Sequence, residues 1–360
     1  MTCVARWRSE SAIASPKRVV IADDTMKANE AFRLACEGTA ILWRGDFQNA
    51  KQLLQAMSRR ADRKPRRTST VASEAFNLHR QAQSQRARTL AMVLLPLDSD
   101  YSIPLRRAPD VRQACTEVYG TDSVPSVVAL RELLGLIGAH EWRKKGVEIP
   151  ELGGRIHPHY GVFSPVRGEY LKLVNEAPLP SSEFAYDIGT GTGILAAILA
   201  HRGVKHIVAT DQDQRALACA RENIALYDMS ARVDVVQADL FPVGRAPLIV
   251  CNPPWIPARP SSPVENAIFD PDSRMLRGFL GGLTAHLEEN GEAWLILSDI
   301  AEHLGLRTRD ELLAAFDAAG LEVIERLDIK PHHAKVTDTS DPLHTARSLE
   351  ITSLWRLAMR

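Results

Sequence analysis

The chain has 360 residues, 45% of them hydrophobic, with 44 Lys and Arg balanced by 44 Asp and Glu. That composition permits one or two packed domains and excludes wholesale disorder, and no run approaches the ~18 apolar residues of a membrane span. The five cysteines (Cys3, Cys36, Cys115, Cys219, Cys251) are far apart and odd in number, which excludes a disulfide framework or paired-cysteine metal site and makes a reducing cytoplasm the simplest location.

Neutrality conceals an asymmetry. Residues 1–150 hold 24 Lys and Arg against 16 Asp and Glu, and residues 151–360 hold 20 against 28. The basic excess concentrates at residues 59–67, a run that either contacts RNA or is a solvated helix end. In chain order, residues 1–25 read as a loose leader without the apolar core of a signal peptide. Residues 28–43 and 46–63 show helical spacing, the second through Phe47, Leu53, Leu54 and Met57. Residues 70–88 form a polar helix, 91–97 a buried strand or linker, 108–119 a short helix and 125–145 an amphipathic helix. Residues 1–145 are therefore expected to be a mainly helical accessory domain. Residues 146–165 alternate apolar residues with Gly and Pro, the pattern of a hairpin, within a linker spanning 146–180.

The pattern changes from residue 181. Residues 183–188 read as a buried strand ending in Asp187, and a helix opens at Ile194. Between them Gly189, Thr190, Gly191, Thr192 and Gly193 make a D-x-G-x-G-x-G turn. Glycines there let the backbone turn sharply and let a ligand approach where a Cβ would clash, and the free N–H groups of the following helix suit a polar or anionic group. The strand 206–211 closes on Asp211, 22 residues beyond Gly189, near the ~20 expected of a carboxylate that grips ribose hydroxyls. Asp213 suits a helix N-cap. A strand at 233–237 precedes Asp239 and Leu240. The apolar run 248–251 leads into Asn252-Pro253-Pro254-Trp255, where an Asn oxygen and a proline carbonyl can both accept from one nitrogen beside a flat indole face. Prolines stiffen such a turn. A helix at 272–287, a strand at 292–298, a helix at 310–319 and strands at 321–327 and 351–357 complete the chain.

The glycine turn followed by Asn-Pro-Pro-Trp resembles the class I S-adenosylmethionine-dependent methyltransferases. The closest likeness is to the N-P-P-[YFW] group that modifies glutamines of release factors and ribosomal proteins, RNA guanines, and amino groups of DNA bases. The resemblance covers residues 155–360 and implies an α/β Rossmann-like domain over 181–360. Its seven-stranded sheet would have order 3-2-1-4-5-7-6, with the last strand antiparallel. It also implies S-adenosyl-L-methionine as cofactor. Asp187 and residues 189–193 would cradle the methionine part, Asp211 with Gln212 the ribose, and Asp239 with Leu240 the adenine. Asn252, which also borders the cofactor, would hold the acceptor nitrogen with Pro253, Pro254 and Trp255. Residues 161–167 are similar to the segment that covers the cofactor, which brings in Phe163 and Arg167, although the usual P-R-P is missing. The accessory domain would set substrate choice.

A nicotinamide or flavin enzyme would use the same phosphate and ribose contacts, but its turn is G-x-G-x-x-G and gives Asn-Pro-Pro-Trp no task. His332 and His333, in the loop 331–347 with His344, are candidates to touch substrate. Their irregular spacing, like that of His157 and His159, does not suggest metal. A sulfonium methyl is already activated, so the chain need only place the acceptor lone pair in line with it, and no general base is required. The reading is an N-methyltransferase acting on an amide, amino or guanidino nitrogen of a macromolecule, either a protein glutamine or an RNA base. A small-molecule acceptor and a non-catalytic cofactor-binding protein are the alternatives. No membrane partner is implied, and a homo-oligomer is left open.

Overall fold

A computed structural model describes residues 5–63, 69–121, 124–165, 168–332 and 341–360. The chain divides into two units, Met1–Thr70 with Glu74–Glu141 and Val71–Ser73 with Trp142–Arg360.

The N-terminal half departs from the expected helical accessory domain. Its elements are β1 (Arg6–Arg8), β2 (Arg18–Ala22), α1 (Ala28–Cys36), β3 (Thr39–Trp43), α2 (Phe47–Asp62), α3 (Ala72–Leu90), β4 (Val93–Leu97), α4 (Arg112–Tyr119), β5 (Ser126–Ala129) and α5 (Leu130–Lys145). The strands form one sheet in the order β1-β5-β4-β3-β2, parallel except between β4 and β5. Helices supply most of the ordered residues, but an α/β sheet is at the centre. Three stretches explain the difference. The supposed leader contains Val19-Val20-Ile21, β-branched residues suited to a strand. The apolar spacing over 28–43 is broken at Gly38, whose φ of +77° and N–H to the Ala35 carbonyl end α1, so that Ala40, Ile41 and Trp43 become buried strand residues. At 126–129 the Val127-Val128 pair is drawn into antiparallel pairing with β4, a long-range partner that local periodicity does not register.

The C-terminal unit opens with the expected hairpin, β6 (Val147–Ile149) against β7 (Gly154–Ile156). It continues through α6 (Glu169–Glu176), β8 (Phe184–Ile188), α7 (Ile194–His201), β9 (His206–Asp211), α8 (Gln214–Leu226), β10 (Val233–Gln237), β11 (Ala246–Cys251), α9 (Arg274–His286), β12 (Leu287–Ser298), α10 (Ile300–His303), α11 (Arg309–Ala318), β13 (Leu321–Ile329), α12 (His344–Leu349) and β14 (Thr352–Met359). The sheet order is β10-β9-β8-β11-β12-β14-β13, which by the unit's own strand numbers from β8 is 3-2-1-4-5-7-6. The first five strands are parallel, and β14 runs antiparallel to both neighbours.

Each face of this sheet carries an apolar layer. On one, α6 and α7 pack with Trp294, Ile296 and Leu354. Every residue of α7 from Ile194 to Ala200 is buried, so its sequence is apolar all round rather than amphipathic. On the other, Leu276, Phe279, Leu280 and Leu283 of α9 and Leu312 and Phe316 of α11 cover Tyr186, Ile188 and Leu295. The helix expected at 272–287 starts two residues late because Asp272 and Ser273 are left-handed, with φ of +56° and +52°. Asp270 caps its start by accepting the Met275 and Leu276 N–H groups at 3.0 and 3.1 Å. Among the described residues no helix is long and apolar enough to cross a membrane.

Gly45, between β3 and α2, shows how tightly the N-terminal turns are built. A Cβ there would stand 2.5 Å from Asp24 Oδ1 and 2.8 Å from the Asp24 nitrogen. The same Asp24 carboxylate accepts the Asp46 N–H and the Asn49 amide, both at 2.9 Å. Gly45→Ala is therefore expected to destabilise the protein by about 1–3 kcal/mol through overpacking. Urea unfolding of the variant checks this, and an unshifted midpoint refutes it.

Candidate active site

The chain lays down β8, β9 and β10 outward in one direction, then returns to place β11 on the other side of β8. This reversal makes a switch point, and in parallel α/β sheets the crevice at the carboxyl ends of such strands is where ligands bind. The ends of β8 and β11 carry the two motifs, one on each side of that crevice. The strands are in register there, with Val250 beside Asp187 and Cys251 beside Ile188.

The turn after β8 is organised by Asp187, which is fully buried. Its Oδ2 accepts the Thr190 hydroxyl at 2.6 Å and the Ala196 N–H at 3.1 Å, tying the strand end to the first turn of α7. Its Oδ1 is buried with no hydrogen-bond partner. Burial pushes the Asp187 carboxyl up to about 6, partly offset by those two bonds and reinforced by nearby Asp211. Gly193, at φ +79°, brings the start of α7 against α8, where a Cβ would lie 3.1 Å from the Ala220 Cα. Gly191, at φ +55°, faces open space with nothing within 4 Å of a Cβ position. One glycine thus serves packing and the other leaves room for a ligand.

The next strands join the turn directly. Asp211 Oδ2 accepts the Gly191 N–H at 3.1 Å and its Oδ1 accepts the Asp213 N–H at 2.9 Å. Burial raises the Asp211 pKa, against the pull of these bonds. Asp213 caps α8 as expected, accepting from the Arg215 N–H at 2.8 Å. The Thr190 N–H donates to the Thr210 carbonyl at 2.7 Å, and the Thr210 hydroxyl donates to the Leu240 carbonyl at 2.6 Å. Leu240 itself is held at φ +71°. Thr192 is buried, its carbonyl accepting from Asn223 at 3.0 Å. Gln212 and Asp239 are exposed, and Asp239 pairs with Arg274 at 3.5 Å.

At the end of β11, Pro253 is buried, while Asn252, Pro254 and Trp255 are half-buried. The Trp255 indole N–H donates to Asn252 Oδ1 at 2.9 Å. An amide oxygen accepts two such bonds, so a second N–H has a place. Trp255 meets the Tyr170 ring edge-on, with centroids 6.4 Å apart and planes at 84°.

The remaining candidates are placed less tightly. Phe163 packs on the same apolar cluster as Trp255. The His332 backbone N–H donates to Glu169 at 2.7 Å. Arg167 and His333 lie outside the described residues, as do residues 64–67 of the basic run. His157 and His159 secure the segment before α6 to its surroundings, His157 at the Arg143 carbonyl and His159 at Glu222, 2.6 and 2.8 Å away. Among the described residues no three His, Cys, Asp or Glu side chains are grouped to hold a metal. Sequence reasoning missed Tyr170, Thr210 and Met275, whose Cε would stand 2.4 Å from a Cβ on Gly189. Each reads as an ordinary core residue, and only folding brings it to the turns.

Residues 171–255 match the model of the ribosomal protein L11 methyltransferase (PrmA) family. A Methanocaldococcus jannaschii protein named for an inferred N5-glutamine methyltransferase activity is 28% identical over 43% of this chain and 80% of its own length. A release factor glutamine methyltransferase of Caulobacter vibrioides is 31% identical over 44% of this chain, which spans only 58% of that relative. A tRNA1(Val) (adenine(37)-N6)-methyltransferase of a Shewanella species is 29% identical over 44% of this chain and 68% of the relative. With these matches the chain is an S-adenosylmethionine-dependent methyltransferase.

The buried Asp187 predicts a pH signature. Its folded pKa of about 6 lies above the ~3.9 of an exposed carboxylate, so its contribution to stability is full below pH ~4 and is lost as pH rises through about 6. The loss is on the order of 3 kcal/mol. Without cofactor, Asp187→Asn is expected to gain about that much relative to the parent between pH 4 and 7, measured by urea unfolding. A stability difference that does not change with pH would refute the assignment.

Proposed function

We propose that the chain methylates a nitrogen of a planar amide or amine carried by a macromolecule, a protein glutamine or an RNA base. The observation that carries this reading is the Asn252–Trp255 pair at the end of β11. There a carboxamide oxygen is pinned by the indole N–H at 2.9 Å beside an aromatic face suited to a flat group. The relatives named for glutamine and adenine methylation support it, because an amide and an arylamine share a flat, NH-bearing nitrogen whose lone pair is delocalised.

The residues present fit the cofactor. The unpartnered Oδ1 of Asp187 suits a cationic ammonium, and such a partner would draw the carboxyl back to its ionised form. Gly191 leaves the turn open on one side, and Asp211, positioned by the Gly191 and Asp213 N–H groups, suits ribose hydroxyls. Leu240 beside the Thr210 hydroxyl suits an adenine edge, whereas the exposed, Arg274-paired Asp239 and the exposed Gln212 would contribute less. When bound, the cofactor supplies an electrophilic methyl on a sulfonium.

The chain's task is then orientation. Asn252 Oδ1 and the Pro253 carbonyl would accept the acceptor's N–H protons, turn its lone pair toward the crevice and stabilise the positive charge that develops there. The N-terminal α/β unit, with its basic excess, would select the acceptor, and its charge favours RNA or a ribosomal partner over an anion-poor small molecule. Residues 59–63, including exposed Arg59 and Arg63, close α2 on that unit.

Two experiments test this. Labelled S-adenosylmethionine is incubated with the protein and extract from cells lacking it, and the extract is split into protein, RNA and small-molecule fractions. Label in protein or RNA is expected, and label confined to small molecules overturns the macromolecular reading. Asn252→Ala is expected to bind cofactor like the parent and to lose transfer by at least about 100-fold. Unchanged turnover would remove Asn252 from the site.

A further inference from the structure

We propose that the outer edge of β2 is a self-complementary interface through which two copies of the chain pair antiparallel, joining their N-terminal sheets. β2 ends the five-stranded sheet and among the described residues pairs with β3 alone. Its outward row of backbone N–H and C=O groups is a template for another strand. The side chains point the same way. Val19 and Ile21 are 49% and 72% exposed, although β-branched residues in a strand normally pack on a covered face. They stand in register with Ala40 and Leu42 of β3, which belong to an apolar cluster with Trp7, Leu94 and Ala129. The apolar face of the sheet thus runs out to its edge and ends there exposed.

Charge at the two ends of the strand selects a second copy as the occupant. The sequence along the edge is Lys17-Arg18-Val19-Val20-Ile21-Ala22-Asp23-Asp24, basic where the strand begins and acidic where it ends. Sheet edges are commonly guarded by charge, and a parallel copy would meet like charge with like. An antiparallel copy meets opposite charges. Side chains alternate along a strand, so Lys17, Val19, Ile21 and Asp23 belong to one face by register. About a two-fold axis through Val20, Val19 faces the partner's Ile21, Ile21 faces the partner's Val19, and Lys17 faces the partner's Asp23. Lys17 and Asp23 are both exposed and flank the strand, so their ion pairs displace no apolar contact. Asp23 spends Oδ1 on the Thr25 N–H and hydroxyl, at 3.0 and 2.7 Å, and presents Oδ2 to the lysine. A slip of one residue sets facing side chains on opposite faces. A slip of two sets Val19 against Asp23, or Lys17 against Ile21. One register alone satisfies the apolar and the charged pairs together.

A pair of five-residue strands buries less than a standard stable interface. The dimer is therefore weak, concentration-dependent and, through its exposed end pairs, sensitive to salt.

Sedimentation of the full chain at loadings from nanomolar to high micromolar tests this, with neither cofactor nor acceptor needed. The parent is expected to pass from monomer to dimer with a micromolar Kd. Ile21→Lys, at an exposed position, is expected to keep the parent's thermal stability and raise Kd at least about 10-fold. Lys17→Glu and Asp23→Lys each set like charges face to face and are expected to weaken self-association. Mixed in equal amounts, the two variants are expected to recover the dimer. The new carboxylate of one then faces the new ammonium of the other, and the unchanged Asp23 of the first faces the unchanged Lys17 of the second. A parent that stays monomeric, an unshifted Kd in Ile21→Lys, or a mixture of folded variants no more dimeric than its components would overturn the proposal. Should Asp23→Lys fail to fold through loss of the Thr25 bonds, Ile21→Lys and Lys17→Glu still decide.

Discussion

The buried carboxylate of Asp187 is the constraint on which the catalytic unit depends. Placing a carboxylate inside a sheet is costly unless its lone pairs are satisfied, and here one oxygen is satisfied by Thr190 and the start of α7 while the other is not. Those bonds set where the helix begins relative to the strand. Gly193 then lets α7 lie against α8, and Gly191 reaches Asp211. Asp187 thus fixes the turn between β8 and α7, the Thr190 and Gly191 N–H groups tie that turn to the end of β9, and one Asp187 oxygen is left without a partner. In the proposed function, the energy withheld at Oδ1 would become available to a cationic ligand.

The other side of the crevice is built on different physics. The Asn252 turn has no buried charge. Its order comes from prolines, a neutral hydrogen bond to Trp255 and aromatic packing against Tyr170. This suits methyl transfer. In the proposed function, one side of the crevice would manage charge for the cofactor and the other would present neutral acceptors without a proton-abstracting base. The switch point in the sheet brings the two together, because strands 65 residues apart in sequence at Asp187 and Asn252 lie side by side.

The loops that close this region are themselves tied to helix starts. Asp270 spends both carboxylate oxygens on the first N–H groups of α9, and α9 carries Met275 toward the glycine turn and Arg274 toward Asp239. Beyond Trp255 the connection from β11 to α9 thus reaches the glycine turn as well, although residues 256–269 carry no motif in the sequence.

How much was legible followed the range of the interactions. Asp187, the glycine turn, Asp211, the Asp213 cap and Asn252 to Trp255 were readable because each is a local device, a turn, a strand end or a cap whose chemistry lies within a few neighbouring residues. The hairpin at 147–156 and the α/β alternation from residue 184 onward were readable for the same reason. The sheet of the N-terminal half was not. Its strands are short, and 126–129 and 39–43 continue apolar spacing from adjoining helices, so only pairing with distant strands identifies them. Tyr170 was equally hidden, since a tyrosine among leucines on a helix looks like core until the fold carries its ring to Trp255. The sequence alone determined which chemical groups the site contains and which turns present them. The tertiary structure decided which of those groups meet, because contacts across the sheet and between helices arise from packing, which local pattern does not encode.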